Sequence, residues 1–339
     1  MGLRAIGAAS ALLLAGIGLA ASPLAVPQAH GSTQMPAKSG DPRPRVQPPI
    51  IIQDYTPNPA IWRLSDEDTT IYLFGTFHVL PPGLQWRTPQ FDRIVAEAEE
   101  LIVESSDDHL EGPAFEAAIA DMFTNLADRQ PTSAKLTPEA AAKWLRLGQL
   151  SGLPEESFDR MPPLFLMLML GLNLSYEAGS TSESGVETLL EAEFAAAGKP
   201  IGSIEDPLPV LQAVIGIDEA LLIEQLEADL AGWDGESMDA LFSELEGEDG
   251  EVAADPFTAE HSWARGEVSE DEMFGDTPFE RALHKVMLED RNRDWALWLD
   301  KRLDSPGTIL VAVGAGHFEG ADSVQNMLAA RGLSAERIN

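Results

Sequence analysis

Two short apolar runs in this chain each stop on a glycine and present a histidine three residues later. Thr70-Ile71-Tyr72-Leu73-Phe74 leads into Gly75-Thr76-Phe77-His78, and Thr308-Ile309-Leu310-Val311-Ala312-Val313 leads into Gly314-Ala315-Gly316-His317. Runs of this length, rich in β-branched and aromatic residues and closed by glycine, read as strands. Glycine allows a tight turn and close backbone approach, so each histidine is expected at the rim of a sheet. In open α/β sheets ligands gather beyond the carboxyl ends of the strands, which is where both imidazoles would lie.

Two further strands also end on ionisable groups. Leu101-Ile102-Val103 runs into Glu104, and Pro200-Ile201-Gly202-Ser203-Ile204 runs into Glu205. Ala60 to Leu64 reads as a strand that turns at Ser65 to Asp68 and pairs with Thr70 to Phe74 as a hairpin. If the strands share one sheet and one sense, His78, Glu104, Glu205 and His317 converge at one edge. Two neutral imidazoles with one or two carboxylates are a common ligand set for Zn, Mn, Co or Fe in a hydrolytic site that keeps a position open for water. The spacing alone is not diagnostic, because the histidines stand 239 residues apart and no H-E-x-x-H occurs. Blander roles exist for each residue: a histidine after a strand can cap a turn, and Glu104 and Glu205 can cap the helices that follow. Arg291 and Asn292, on a helix, fit ordinary surface pairs.

The remaining periodicity is helical. Thr88-Pro89 and Thr137-Pro138-Glu139 carry N-cap chemistry and open helices to about Glu99 and Leu150. Pro163 to Asn173 is apolar and methionine-rich, which suits core. Glu187 to Ala197, Pro207 to Leu230, a long stretch Phe279 to Leu303, and Ala321 to Ala330 follow, with Leu333 to Ile338 as an edge strand. The expected fold is α/β, a central mixed sheet flanked by helices, with a largely helical middle.

Composition bounds the partners. With 22 Lys and Arg against 56 Asp and Glu the formal net charge is -34, a field that repels nucleic acid and anionic lipid. Residues 1–31 combine a short basic start, an uncharged run Ala5 to Ala21, and Ala29-His30-Gly31 before a cleavage point, the pattern of a secretory signal. Residues 32–59 read as a proline-rich linker, and residues 60–339 as the folded domain. The absence of cysteine in an exported chain fits a bacterial periplasm. Glu244 to Asp255 is an acidic insertion, and His109, His261 and His284 sit in polar contexts that make them weaker site candidates. No G-x-S-x-G, P-loop or G-x-G-x-x-G appears, so serine hydrolases, NTPases and dinucleotide enzymes lose their usual signatures.

Several segments in order resemble the TraB/GumN family, whose animal relatives include the TIKI proteins. They are Ile61-Trp62-Arg63, Tyr72 to Pro81, Leu101 to Glu104, Gly198 to Glu205, Arg291-Asn292-Arg293-Asp294-Trp295, and Val313 to Gly320. The resemblance implies a fold related to the erythromycin esterase and ChaN group, with the two G-x-x-H segments in pseudo-equivalent halves. It also implies metal-dependent proteolysis supported by Mn or Co. Carried over by position, the resemblance points to His78, Glu104 and His317 as metal ligands, with Glu205 and Arg291 as additions; in a hydrolase built on them Glu205 is expected to take or return a proton and Arg291 to stabilise the oxyanion. Phe318 stands where leucine is usual in the family, and Glu187 where aspartate is common. A binding protein that takes haem, a peptide or another small ligand in the same cleft is the alternative that the ChaN-like relatives suggest.

Overall fold

The computed structural model describes residues 49–105, 110, 112–124, 126–242 and 255–339. The expected signal at 1–31, the linker through residue 48, His109 and all of the acidic insertion but Asp255 lie outside the described residues. Among the described residues no helix is long and apolar enough to cross a membrane.

The strands form one mixed sheet. They are β1 (Ile61–Ser65), β2 (Thr69–Thr76), β3 (Glu100–Val103), β4 (Ile201–Ser203), β5 (Gly307–Gly314) and β6 (Glu336–Arg337), in the order β4-β3-β5-β2-β1-β6. β2, β5, β3 and β4 run parallel, while β1 closes the expected hairpin on β2 and pairs antiparallel with the short edge strand β6. Thr76 lies beside Gly314, so the two histidine-bearing strands are neighbours that end together. Gly75 leaves no room for a side chain beside the turn after β5, since a Cβ there would stand 3.0 Å from the Ala315 Cα.

Alternation along β5 shows why helices cover both faces. Leu310 and Ala312 join one apolar cluster, whereas Ile309, Val311 and Val313 join the other. With both faces apolar, neither can be left to water. The first face shares one apolar cluster with α1 (Pro89–Glu97), α2 (Pro138–Ser151), α3 (Pro163–Ala178), α4 (Val186–Ala196), α5 (Pro207–Ile215), α6 (Glu219–Gly232), α7 (Thr258–Arg265) and α8 (Pro278–His284). The second packs against α9 (Asp290–Arg302) and α10 (Val324–Ala330) through Trp295, Ala296, Leu299, Val324 and Leu328.

Most expected elements are present, with four local differences. Thr88 caps α1 by accepting the Phe91 N–H at 3.1 Å, but Thr137 makes no side-chain cap on α2; its own N–H donates to Glu227 Oε1. The region Pro207 to Leu230 is two helices, because Gly216 ends α5 and Asp218 caps α6. Residues 321–323 precede α10 instead of belonging to it. The long helix expected from Phe279 is interrupted by a π-helical turn, Lys285–Glu289, between α8 and α9. Such turns recur at functional sites because one extra residue re-aims the side chains that follow, and here Arg291 and Asn292 come directly after it.

Candidate functional site

The four parallel strands deliver their terminal residues to one place. Glu104 follows β3 directly, and the pairing of β3 with β4 continues past both strand ends. Ile204 N–H donates to Val103 O at 2.9 Å and Glu205 N–H to Glu104 O at 3.2 Å, which brings the two carboxylates side by side. His317 lies in a 3-10 turn, Ala315–Phe318, immediately after β5, and His78 lies two residues beyond β2.

Arg291 holds the carboxylates from α9. Its Nη2 donates to Glu104 Oε2 at 2.7 Å and to Glu205 Oε1 at 2.6 Å, Nε spans both Glu205 oxygens at 3.1 Å, and Nη1 donates to Met287 O at 3.0 Å. Trp295 Nε1 adds a bond to Glu205 Oε2 at 2.7 Å, and the Gly314 N–H one to Glu104 Oε1 at 2.6 Å. Arg291 is 5 % exposed and Asn292 1 %, so neither is the surface residue its helix position suggested. Burial opposes the Arg291 charge, but the pull of Glu205 and Glu104 outweighs it and holds the guanidinium above the ordinary arginine range. Burial pushes the Glu205 carboxyl up, against the opposing attraction of Arg291.

His317 is fully buried, and Asn292 fixes its tautomer. The Asn292 Nδ2 donates to Asp322 O at 2.8 Å and, more loosely, to His317 O at 3.4 Å. Carbonyls only accept, so Oδ1 must be the atom that faces the imidazole, 2.5 Å from Nδ1. Nδ1 therefore carries the proton and Nε2 the lone pair. Nε2 makes no hydrogen bond and lies 3.7 Å from Glu104 Oε1, so two basic atoms face each other without a proton between them. Burial, then Arg291 and His78, push the His317 pKa well below 6.5, which keeps the ring neutral.

His78 meets Glu187, a residue noted in the sequence only as a departure from the family pattern. Its Nδ1 contacts Glu187 Oε2, and Thr76 Oγ1 donates to Glu187 Oε1 at 2.9 Å. The start of α4 is sewn onto the first motif by Val186 N–H to Phe77 O at 2.9 Å. Gly185 lies so close that a Cβ there would stand 2.0 Å from His78 O. His78, Glu104 and Glu187 offer ligand atoms within 4.8 Å of one another, and His317 Nε2 lies 3.7 Å from the same Glu104.

Sequence reasoning thus found five groups that the structure brings together, and it missed two. Glu187 could have been found as the acidic residue in the first turn of a helix, and Asn292 as the neighbour of Arg291 on the segment after a helical irregularity. His261 lies elsewhere, bonded to Tyr55 and paired with Asp255. A cavity of about 580 Å³ adjoins both motifs, walled by Trp62, Gly75, Phe77, Trp263, Ala315 and Phe318. A larger one of about 680 Å³ lies among the helices near Met122, Phe165 and Phe279, away from these groups.

The TraB/PrgY/gumN family model matches residues 60–337, most of the chain, and the chain belongs to that family. No curated protein and no solved structure matches it.

Proposed function

We propose that this member of the TraB/PrgY/gumN family is an exported, metal-dependent hydrolase acting on peptide bonds. One observation carries the reading: the charge balance of the buried cluster. Glu104, Glu187 and Glu205 face a single guanidinium, Arg291, while His317 is held neutral. With all three carboxylates ionised the cluster is negative whichever protonation state His78 adopts, so it must take up a proton or a cation. Buried net charge is costly unless paired, and a divalent cation supplies the missing pairing.

The residues fit such an ion. The His317 Nε2 lone pair is aimed at a carboxylate oxygen with its tautomer locked from behind, which is how metal-ligating histidines are held. His78, Glu104, Glu187 and His317 would hold Mn, Co or Zn, whose chemistry when bound is to acidify water and polarise a carbonyl. Asn292 orients His317, and Thr76 orients Glu187. Glu205 is assigned to take and return a proton, since burial raises its carboxyl toward the range where it can do both. Arg291, expected as an oxyanion donor, also positions the carboxylates in this reading, because Nε and Nη2 donate to Glu205 and Glu104 while Nη1 gives one of its two hydrogens to Met287 O. The peptide substrate rests on the resemblance of both G-x-x-H segments to those of the TIKI proteins, and export on the signal-like residues 1–31.

The test is metal analysis of the purified protein together with a metal-supplemented peptide-library cleavage assay. His78→Ala and His317→Ala are each expected to lower bound metal and hydrolysis. If neither does, the reading is wrong.

A further inference from the structure

We infer that Glu272, His284 and Asp322 form a second divalent-metal site, separate from the strand-end cluster and suited to a zinc-like ion. His284 closes α8, Asp322 lies in the segment before α10, and Glu272 comes from the segment between α7 and α8. His284 Nε2 lies 3.1 Å from Asp322 Oδ2 and 3.4 Å from Glu272 Oε2, and the three groups place ligand atoms within 4.8 Å of one another. Ligands bonded to zinc at about 2.0 to 2.2 Å in a tetrahedron are about 3.3 Å apart, which both measured separations approach. One ring nitrogen carries at most one proton and cannot make two well-formed hydrogen bonds, so Nε2 alone does not pair both carboxylate oxygens, whereas a cation among the three atoms would.

The surroundings are built to present these atoms. The other Glu272 oxygen, Oε1, is occupied by the Ala321 N–H at 2.9 Å, which leaves Oε2 facing the imidazole. Gly320 adopts φ +70°, and a Cβ there would lie 2.7 Å from Glu272 Oε2, so a side chain would fill the place the carboxylate takes. Gly320 N–H also donates to Ser269 O at 3.1 Å, tying the two loops together. The His284 ring is set edge-on against buried Phe274 at 6.2 Å. Its side chain is 14 % exposed and those of both carboxylates 38 %, so water can reach the remaining coordination positions. An imidazole among the ligands favours a transition ion over calcium or magnesium.

This site also touches the first one. Asp322 O receives the Asn292 Nδ2 whose partner atom Oδ1 holds His317. A metal on the Asp322 carboxylate would therefore steady the segment that orients His317. The binding site itself does not depend on the hydrolase reading; only this link does.

Zinc alone, titrated calorimetrically into the full chain, tests the inference. The Glu272→Gln/Asp322→Asn chain is expected to bind roughly one zinc ion fewer than the wild type, and His284→Gln to do the same. His78→Ala/His317→Ala is expected to retain the second site. The two substituted carboxylates are partly exposed, so circular dichroism of the zinc-free variant should match the wild type and show that it folds. Equal zinc stoichiometry in the wild type and the folded Glu272→Gln/Asp322→Asn variant overturns the proposal. If the wild type binds a single ion that Glu272→Gln/Asp322→Asn removes and His78→Ala/His317→Ala leaves, the second site stands and the hydrolase reading falls.

Discussion

The tautomer lock on His317 can be tested by replacing Asn292. In the native protein the imidazole Nδ1–H donates to Asn292 Oδ1 at 2.5 Å, with both residues buried. Asn292→Leu keeps a similar volume but leaves Nδ1–H and the Asp322 carbonyl without their partner. Each orphaned buried group costs about 1–3 kcal/mol. The second of these can recover water, since Asp322 lies nearer the surface, so the expected loss is on the order of 3 kcal/mol. Asn292→Asp restores the acceptor for Nδ1–H but turns a carboxylate oxygen toward the Asp322 and His317 carbonyls and adds negative charge to the cluster, so it should not recover the stability; it should make His317 more basic, because a carboxylate favours the imidazolium. Urea unfolding measures the first effect. Long-range nitrogen–proton correlation spectra of the imidazole read the second, and in the wild type they should show Nδ1 protonated and Nε2 bare. A wild-type spectrum with the proton on Nε2, or an Asn292→Leu protein as stable as the wild type, would refute the reasoning.

Three further outcomes follow from the same geometry. Arg291→Met should destabilise the fold by about 3–5 kcal/mol, as expected when a buried charge pair loses one partner, and Arg291→Lys should recover part of this in the same unfolding assay because it restores charge without the fork. Gly185→Ala should cost about 1–3 kcal/mol from overpacking, with the His78 imidazole resonances displaced, since its Cβ would collide with His78 O; unchanged resonances would contradict the close approach. Glu260, buried on α7, is pushed by desolvation from 4.5 to about 7, so its native state prefers the proton. The unfolded chain ionises this carboxyl first as pH rises, so stability present at low pH falls as pH rises from about 4.5 to about 7, by on the order of 3 kcal/mol. Glu260→Gln should flatten that part of the stability curve and should be the more stable protein at pH 8, measured by thermal unfolding across pH.

The sheet and its edge were legible because strand composition and a terminal ionisable residue coincide four times, twice with a closing glycine. Parallel sense was the condition for convergence, and the pairing of β2, β5, β3 and β4 meets it. Glu187 was hidden because its place depends on how α4 docks against residues more than a hundred positions earlier, and its one local signal, an acidic residue in the first turn of a helix, is too common to single it out. Asn292 was hidden for another reason: in the sequence its neighbours Arg291 and Arg293 read as a solvated face, whereas on the helix that follows the π turn Arg291 and Asn292 are buried and Arg293 is exposed. The split between α5 and α6 was missed where two helical segments abut at Gly216 with little change of composition. His284 was passed over because its carboxylate partners come from segments 12 and 38 residues away.

A fold alone does not require the strand-end cluster. Well-packed apolar residues of the same volume usually hold a core as firmly as a buried ion pair, and this sheet already has apolar side chains on both faces. Yet the chain places three carboxylates, a guanidinium and two imidazoles beyond β2, β3, β4 and β5, then spends Trp295, Thr76, Asn292 and the Gly314 N–H on holding them. Those supports satisfy hydrogen bonds without neutralising the excess of negative charge. Two ways remain to balance it: a proton on Glu205, toward which burial already drives that group, or a cation among His78, Glu104, Glu187 and His317. The two are linked, because a cation near Glu104 lowers the affinity of Glu205 for a proton through their shared Arg291. A metal bound there would be coupled to proton release at one centre, which is the coupling a hydrolytic site needs and a purely structural core does not.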